Sequence, residues 1–384
     1  MAAKFLEPCG DAQFTVASGD MNWRYVDGGV TIATDFVHGG HIKSYRCGPA
    51  GNKVVFTNNG YLADAGSRVT AYIYIATLPS ADCSWFYAQK TDQTTVVFKL
   101  ILTSAGVLKL YETTNQIGSN GSTLSTGTWY RISVAYTITN TTTNRFEVFK
   151  DGVSDISVTN ATLTNTGSDN FGFGNISTDG SFDMRLSDIY VDDSNSLTDT
   201  GDVWVTAKRP NANGTSSQFT TQIGAGGSGY GTGHSPQVNE RALSETNGWS
   251  GVTTSSTTLN EHYAIENAAT GDLNLTGATI KGVMGWIRAN LSSTTSQTGG
   301  IIVDGTYTAK SLGTSYGYHT QMSPNPTTYP AGTGTDIGMR KVTTTSTSRT
   351  GRLAECGVII AYTPAVAGTS VKDIIGSGFI PFAR

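Results

Sequence analysis

Short runs of alternating apolar and polar residues dominate the first two hundred positions of the chain. Five such runs occupy residues 69–75, 95–102, 107–111, 129–136 and 145–149. A period of two places successive side chains on opposite faces of a strand, so each run predicts a strand with one buried face. Turn signals such as Asp151-Gly152 separate the runs and supply the positive φ that tight hairpins need. Many short strands at this spacing are typical of an antiparallel sandwich or jelly roll.

Composition points to the same fold class and to more than one domain. Only 14% of the residues are charged, below the usual quarter, and 46 of the 384 residues are glycine. Glycine, serine, threonine and asparagine are poor helix formers, so long helices are disfavoured. The length exceeds that of one typical core and suits two domains. We therefore expect an all-β protein with two β-sandwich domains.

Strand signals return in the last third of the chain, after a glycine-rich passage. They lie at residues 263–265, 273–275, 280–289, 300–303 and 356–362. We expect residues 1–205 to form the first sandwich and residues 261–384 a second, smaller one with long loops. Between them, residues 206–260 are interpreted as a flexible linker or as a loop clamped against a neighbouring subunit, with the glycines concentrated in 224–233. The C-terminal tail, 366–384, either closes the second sheet or docks on another subunit.

Charge and hydropathy argue against two classes of partner. The net charge is −4 and the sequence pI is about 5.7, without a Lys/Arg cluster, so nucleic acid is not an expected partner. No apolar run approaches the roughly 20 residues of a membrane helix, and the N-terminus lacks the apolar core of a secretion signal. We expect a protein assembled in a cytosol. Its four cysteines lack zinc-ligand spacing and are expected to be free: Cys9, Cys47, Cys83 and Cys356.

No residue pattern predicts catalysis. None of the five histidines, which are His38, His41, His234, His262 and His319, lies in a nucleophile motif. Four acidic residues lie in or beside predicted strands and could supply a glycosidase pair, although exposed carboxylates are the norm on a sandwich: Glu112, Glu147, Asp151 and Asp183. We therefore expect no enzyme and name no catalytic residue.

Histidine, aspartate, glycine-rich and aromatic patterns bear on metal, nucleotide and sugar sites. His38 and His41 are three residues apart, which in a strand places them on opposite faces, so an ordinary polar loop is favoured over a metal site. Asp188, Asp192 and Asp193 offer oxygen ligands for calcium but form no loop signature, which favours solvated acids at a strand end. The segment 224–233 lacks the Lys-Ser/Thr of a P-loop, so no cofactor is expected. Five aromatic residues near loops are the candidates for sugar stacking: Tyr61, Trp85, Tyr87, Tyr111 and Trp249.

Three segments carry a family resemblance. Residues 127–132 contain a Trp-Tyr strand, 146–153 end in an Asp-Gly turn, and 182–193 form a late strand with an aspartate-rich end. In order and spacing they resemble the concanavalin A-like or laminin G-like jelly roll. With Trp204-Val205 and the 209–214 passage that follows, the chain resembles a two-domain structural protein of tailed-bacteriophage virions over about residues 12–290.

The resemblance implies a function in the virion. It implies an oligomeric capsid decoration or head-fibre protein that acts by protein–protein packing. The implied partners are copies of itself, in a trimer, and the major capsid protein or other virion proteins. The alternative is a lectin-like module of a tail or fibre that binds surface glycans during adsorption. A polysaccharide hydrolase is a third and weaker reading.

Overall fold

The computed structural model describes most of the chain as strands. The described residues are 3–9, 23–26, 30–39, 41, 43–49, 53–57, 60–92, 94–177, 179–219, 221–224, 248–255, 257–269, 274–292, 297–325, 327–329, 335–343 and 349–365. Every secondary-structure element among them is a β-strand, which confirms the all-β fold class. Within this part of the chain we find no helix with the length and hydropathy of a membrane span.

Fourteen strands of the first sandwich lie within the described residues. They are β1 (Ala3–Glu7), β2 (Trp23–Val26), β3 (Thr31–Ala33), β4 (Ser44–Cys47), β5 (Lys53–Thr57), β6 (Ser67–Thr77), β7 (Cys83–Gln89), β8 (Val96–Leu102), β9 (Leu108–Tyr111), β10 (Trp129–Thr137), β11 (Asn144–Lys150), β12 (Val153–Ala161), β13 (Asn170–Asn175) and β14 (Asp183–Asp192). The eight-stranded sheet has the order β12-β11-β10-β6-β14-β4-β3, with β1 paired to β14. The six-stranded sheet has the order β2-β5-β13-β7-β8-β9.

The alternating sequence pattern explains how these two sheets pack. In β6, Val69, Ile73 and their odd-numbered neighbours enter the core between the sheets, whereas Tyr72 and Tyr74 point to the outer face. The predicted hairpin at Asp151-Gly152 is confirmed, because both residues have positive φ and join β11 to β12. The eight-stranded sheet therefore has an apolar inner face and an outer face that is free to carry other chemistry.

In the second sandwich, the part of the chain that the structure describes forms eleven strands. They are β15 (Trp204–Lys208), β16 (Pro210–Ser217), β17 (Thr221–Gly224), β18 (Gly248–Ser255), β19 (Leu259–Ile265), β20 (Thr279–Leu291), β21 (Gln297–Val303), β22 (Thr306–Lys310), β23 (Gly317–Met322), β24 (Asp336–Thr343) and β25 (Arg349–Thr363). One sheet has the order β17-β18-β25-β20-β23 with β15 paired to β25, and the other has the order β16-β19-β24-β21-β22.

The second sandwich begins earlier than the sequence suggested. Trp204 and Val205 pair with β25, so they belong to the second sandwich rather than to the end of the first. Residues 206–260, expected as a linker or clamped loop, contain strands β16, β17 and β18 of the same sandwich. The glycine-rich residues 225–233 and the tail 366–384 lie outside the described residues. The strand expected at 273–275 is absent at 274 and 275, where Leu275 is buried in a turn region that follows β19.

An apolar seam joins the two sandwiches. Leu6 and Tyr190 from the first sandwich pack with Val205, Trp286 and Ile359 from the second in one buried cluster. Leu6 lies on β1, which pairs with the last four residues of β14 and also contacts β20 and β25. The seam therefore lies where the chain leaves the first sandwich and enters the second. We call it the interdomain seam.

The cysteines follow the sequence expectation. All four, Cys9, Cys47, Cys83 and Cys356, are free and buried. Burial raises the pKa of the Cys83 thiol to about 11, so this side chain stays a neutral thiol that packs in the core.

Candidate functional site

A row of large side chains crosses the outer face of the eight-stranded sheet. Trp129 on β10 lies opposite Tyr74 on β6, and Tyr74 lies opposite Arg185 on β14. Arg185 in turn lies opposite Arg46 on β4. Because neighbouring strands stand about 4.8 Å apart, these four side chains form one continuous row. The row combines two aromatic rings with two guanidinium groups.

The connection from β3 to β4 passes over this row and places Phe36 on it. The Phe36 ring stacks on Tyr74 with the ring centroids 4.5 Å apart and 18° between the planes. The Arg185 guanidinium lies 5.4 Å from the centroid of Phe36. Trp129 extends the group, 5.6 Å from Tyr74. We call Phe36, Tyr74 and Trp129 the aromatic platform.

Phe36 is unusual in its exposure. Its residue is 38% exposed, and the only other large hydrophobic residue exposed among those the structure describes is Val153. The other two rings of the platform are less accessible, since Tyr74 is buried and Trp129 is half-buried. A supported ring with access to solvent is therefore presented at the edge of the row.

Ion pairs fix the charged groups beside the platform. Asp35 accepts hydrogen bonds from Arg185 Nε at 3.1 Å and Nη2 at 2.6 Å, and its Oδ1 also accepts from the Phe36 N–H at 3.0 Å. Asp183 accepts from Arg46 Nε and Nη2 at 3.2 and 2.8 Å, and from Arg185 Nη1 at 2.6 Å. Hydrogen bonds from Arg185 lower the pKa of Asp35, so this carboxyl is ionised at neutral pH.

A second, buried centre lies on the same face around Asp188. The pairing of β14 with β6 shifts by one residue between Ser187 and Tyr190, and Asp188 within this bulge has a φ of 49°. A bulge re-aims a side chain that a regular strand would place elsewhere. The Asp188 carboxylate is fully buried and accepts hydrogen bonds from the Val205 N–H at 2.7 Å and the Ser187 hydroxyl at 3.0 Å.

Two histidines complete this centre, and their placement corrects the sequence expectation. His38 Nδ1 lies 2.6 Å from one oxygen of Asp188, and His41 Nε2 lies 2.8 Å from the other. They converge because Gly39, between them, lies in a turn and neither histidine lies in a strand, so the opposite-face rule does not apply. Gly39 has a φ of 54°, and a Cβ there would lie 2.7 Å from the Trp204 ring. Glycine thus allows both the turn and its close contact with the second sandwich.

The histidines also control the charge at Asp188. Burial raises the pKa of the Asp188 carboxyl, but attraction to His41 and the hydrogen bond from His38 outweigh burial and hold it well below its usual range. His38, His41 and Asp188 are ligand types that suit a transition metal, and their ligand atoms lie within 4.8 Å of one another. Their separations of 2.6 and 2.8 Å are those of direct hydrogen bonds between the three side chains.

The segment between the sandwiches covers the outer face around Thr70, Tyr72 and Arg131. Arg131 forms an ion pair with Asp199 at 2.9 Å, and the Thr70 and Thr200 hydroxyls are 2.9 Å apart. The Tyr72 hydroxyl donates to Asp202, which also accepts from the Trp204 indole. This half of the face is therefore occupied by the protein's own chain, in contrast to the half that carries Phe36.

The aromatic residues expected to stack on sugars are placed differently. Trp85 and Tyr87 are 1% and 2% exposed and belong to the interior of the six-stranded sheet, so they cannot stack on a ligand. Tyr111 is half-buried. Tyr61 lines a shallow groove of about 520 Å³ with the Lys4–Asp193 ion pair. The side chain of Trp249 lies outside the described residues.

The acidic residues weighed for catalysis have separate partners. Glu112 accepts hydrogen bonds from Thr164 and Asn115, Glu147 from Ser154, Asp151 from the Arg131 N–H, and Asp183 from Arg46 and Arg185. Glu112 follows β9 of the six-stranded sheet, whereas the other three belong to the strands and turns of the eight-stranded sheet.

The aspartates considered for calcium are also divided among different partners. Asp192 forms a buried pair with Arg68 at 2.7 Å, Asp193 an exposed pair with Lys4 at 3.1 Å, and Asp188 contacts the histidines. They do not converge on one position. Asp188 and Asp192 are fully buried, so the prediction of solvated acids at a strand end is wrong for these two residues.

Comparison with known proteins gives structural likeness alone. No family model matches the chain, and no curated protein matches it. An endo-β-1,4-glucuronan lyase from Trichoderma reesei is 16% identical over 48% of this chain and 96% of its own, with a TM-score of 0.35. Domain 4 of the arabinanase AbnA from Geobacillus stearothermophilus, solved with arabinotriose, is 14% identical over 50% of this chain and 93% of its own, with a TM-score of 0.34.

A sialidase from Trypanosoma rangeli is similar over a smaller share of its length. It is 11% identical over 46% of this chain and 29% of its own, with a TM-score of 0.33. At these identities and scores the comparisons concern about half of this chain and assign no residue a role. The functional argument therefore depends on the side chains described above.

Proposed function

We propose that the first sandwich binds carbohydrate and that the aromatic platform is its binding surface. The observation that carries the proposal is the exposed Phe36 ring, stacked on Tyr74 and flanked by the Arg185 guanidinium. The apolar face of a sugar ring gains by stacking on such a surface, while nearby polar groups fix its orientation.

Preorganisation supports the same function. Tyr74 and Arg185 are held on neighbouring strands, and Asp35 ties the segment that carries Phe36 to Arg185 through two hydrogen bonds. The ring is thus ordered before a ligand arrives, which lowers the entropic cost of binding. An exposed aromatic on an unsupported loop would lack this advantage.

The test is the affinity of Phe36→Ala for a glycan selected on an array with the unaltered protein. We expect binding at least about tenfold weaker by calorimetry, because loss of a stacking ring removes on the order of 1.4 kcal/mol. Val153→Ala is the matched control, since Val153 is the other exposed large hydrophobic residue and begins edge strand β12. A protein that binds no glycan, or a Phe36→Ala variant that binds as tightly as the original, would remove the proposal.

We also propose that the site works without catalysis. A glycosidase needs one carboxyl whose pKa is raised so that it can donate a proton. Hydrogen bonds from Arg185 instead lower the pKa of Asp35, the exposed carboxyl beside the platform. Glu112, which follows β9 of the other sheet, also has a lowered pKa of about 2, because its burial is outweighed by hydrogen bonds from Thr113 and Thr164. Release of reducing ends from the bound glycan, abolished by an alanine at one of these carboxylates, would contradict this.

A second proposal concerns the place of the protein. We propose a structural subunit of a bacteriophage virion, made in the host cytoplasm, trimeric, and packed against capsid or other virion proteins. The interdomain seam supports it, because a shared buried cluster holds the two sandwiches together, as a packed structural subunit needs. Mass spectrometry of purified particles and the native mass of the isolated protein test it. Absence from particles, together with a stable monomer, would exclude it. In a virion, glycan binding would serve adsorption to a surface.

A further inference from the structure

The charges at the aromatic platform cancel. Arg46 and Arg185 bring two positive charges, and Asp35 and Asp183 bring two negative charges, all within one hydrogen-bonded group. A site built for an anionic ligand carries an excess of positive charge that the ligand neutralises. This group has no such excess, so its long-range field gives an anionic sugar no advantage.

The guanidinium groups are also already engaged. Arg185 is 1% exposed in its side chain, and its Nε, Nη1 and Nη2 all donate to Asp35 or Asp183. Arg46 donates to Asp183 through Nε and Nη2 in a two-pronged pair. An acidic sugar would have to replace one of these carboxylates before the buried Arg185 guanidinium could bind it. Arg185 therefore holds the site together rather than recognising a ligand.

Asp35 is the most exposed group in this network. Its side chain is 47% exposed, whereas those of Arg46, Asp183 and Arg185 are 37%, 10% and 1% exposed. An ionised carboxylate has about four acceptor positions, and three are used by Arg185 and the Phe36 N–H. The remaining capacity lies on Oδ2, in the residue directly before Phe36. A sugar stacked on that ring would bring its hydroxyl groups to this oxygen.

We propose that Asp35 determines the specificity of the site: it accepts a hydrogen bond from a hydroxyl of a neutral sugar stacked on Phe36 and repels uronate and sulfated sugars. The inference rests on the proposed function of the platform. It adds the class of ligand, neutral glycans, and the residue that selects it. The same carboxylate serves both purposes, since it attracts hydroxyl donors and repels like charge.

The experiment compares a neutral oligosaccharide with a uronate oligosaccharide of equal length, using the unaltered protein and Asp35→Asn. We expect the unaltered protein to prefer the neutral ligand, with an affinity that changes less than about twofold when salt is raised, because no net charge is paired. Asp35→Asn loses a charge-assisted hydrogen bond and should bind the neutral ligand about tenfold more weakly. It should bind the uronate better than the unaltered protein does, since the site gains one positive charge.

Controls separate the possible failures. Asp82→Asn removes an exposed aspartate, paired with Lys109, that lies beside β7 of the other sheet, and should change neither affinity. Asp35→Glu keeps the charge and should still reject the uronate, and thermal unfolding of each variant checks that it folds.

Three outcomes would overturn a proposal, and they differ. Binding that depends on Phe36 but favours the uronate and weakens with salt would overturn this inference and leave carbohydrate binding intact. An unchanged neutral affinity in a folded Asp35→Asn variant would remove the role of Asp35. If the unaltered protein binds neither ligand nor any glycan on the array, the proposed function itself fails.

Discussion

The two halves of the outer face of the eight-stranded sheet use similar residues for different ends. Around Tyr72 and Arg131, residues 199–202 cover the face, and the aromatic and charged groups contact the protein's own chain. Around Tyr74 and Arg185, the cover is a single short segment that leaves Phe36 and Asp35 open to solvent. Residue type therefore does not distinguish a structural contact from a proposed binding surface. What distinguishes them is whether the side chains remain exposed to solvent in the folded protein.

The covered half should be where the protein is most sensitive to substitution. Asp188→Ala would leave two imidazoles and the Val205 N–H without their buried acceptor, and we expect it to lower the free energy of unfolding by about 3–5 kcal/mol. Urea unfolding measures this. Asp193→Ala, five residues later, removes an exposed pair with Lys4 and should cost less than about 1 kcal/mol. Equal losses for the two variants would contradict the greater sensitivity expected at the buried Asp188.

The turn between the histidines should come next in magnitude. Gly39→Ala places a Cβ 2.7 Å from the Trp204 ring at a φ of 54°, and we expect a loss of about 1–3 kcal/mol. Gly167→Ala is the control for backbone strain alone, because Gly167 has a φ of 88° but no atom within 4 Å of its added Cβ. Chemical denaturation of both variants gives the difference. If the Gly39→Ala variant is no less stable than Gly167→Ala, the Trp204 ring can shift away from the added Cβ without a cost in stability.

The open half should be the least sensitive in stability. Phe36→Ala removes a partly exposed ring, so we expect its free energy of unfolding to fall by about 1 kcal/mol or less. The measurement is the same urea titration, run beside the binding assay. A loss as large as that of Asp188→Ala would mean that Phe36 closes the structure and is not available to a ligand.

Much of the fold was predictable because the sequence records burial directly. The alternation in β6 and β10 fixes which residues enter the core, and the Asp-Gly turn fixes the hairpin between β11 and β12. The boundary near Trp204 was misplaced because a strand that crosses between sandwiches has the same period in either one. The sequence pattern identifies strands but not the sheet that receives them.

Less of the candidate site was predictable. Two tyrosines at alternate positions of β6, Tyr72 and Tyr74, lie on its outward face, and this aromatic pair was the available signal. Phe36 and Asp35 lie in an irregular segment without periodicity, so only the folded chain shows that they meet Arg185. The histidine pair was misjudged because a strand rule was applied to a turn. Trp85 and Tyr87 were misjudged because aromatic residues near a strand end are as suited to the core as to a ligand.

The interdomain seam has a consequence for modularity. A domain that can be moved between proteins on its own needs a boundary that few contacts cross. Here Leu6, near the start of the chain, is buried with Trp286 and Ile359, far along it. A cut after β14 would expose an apolar surface on both fragments. Separating the two sandwiches would therefore break the shared cluster, and any transplantation of the proposed binding face has to carry both.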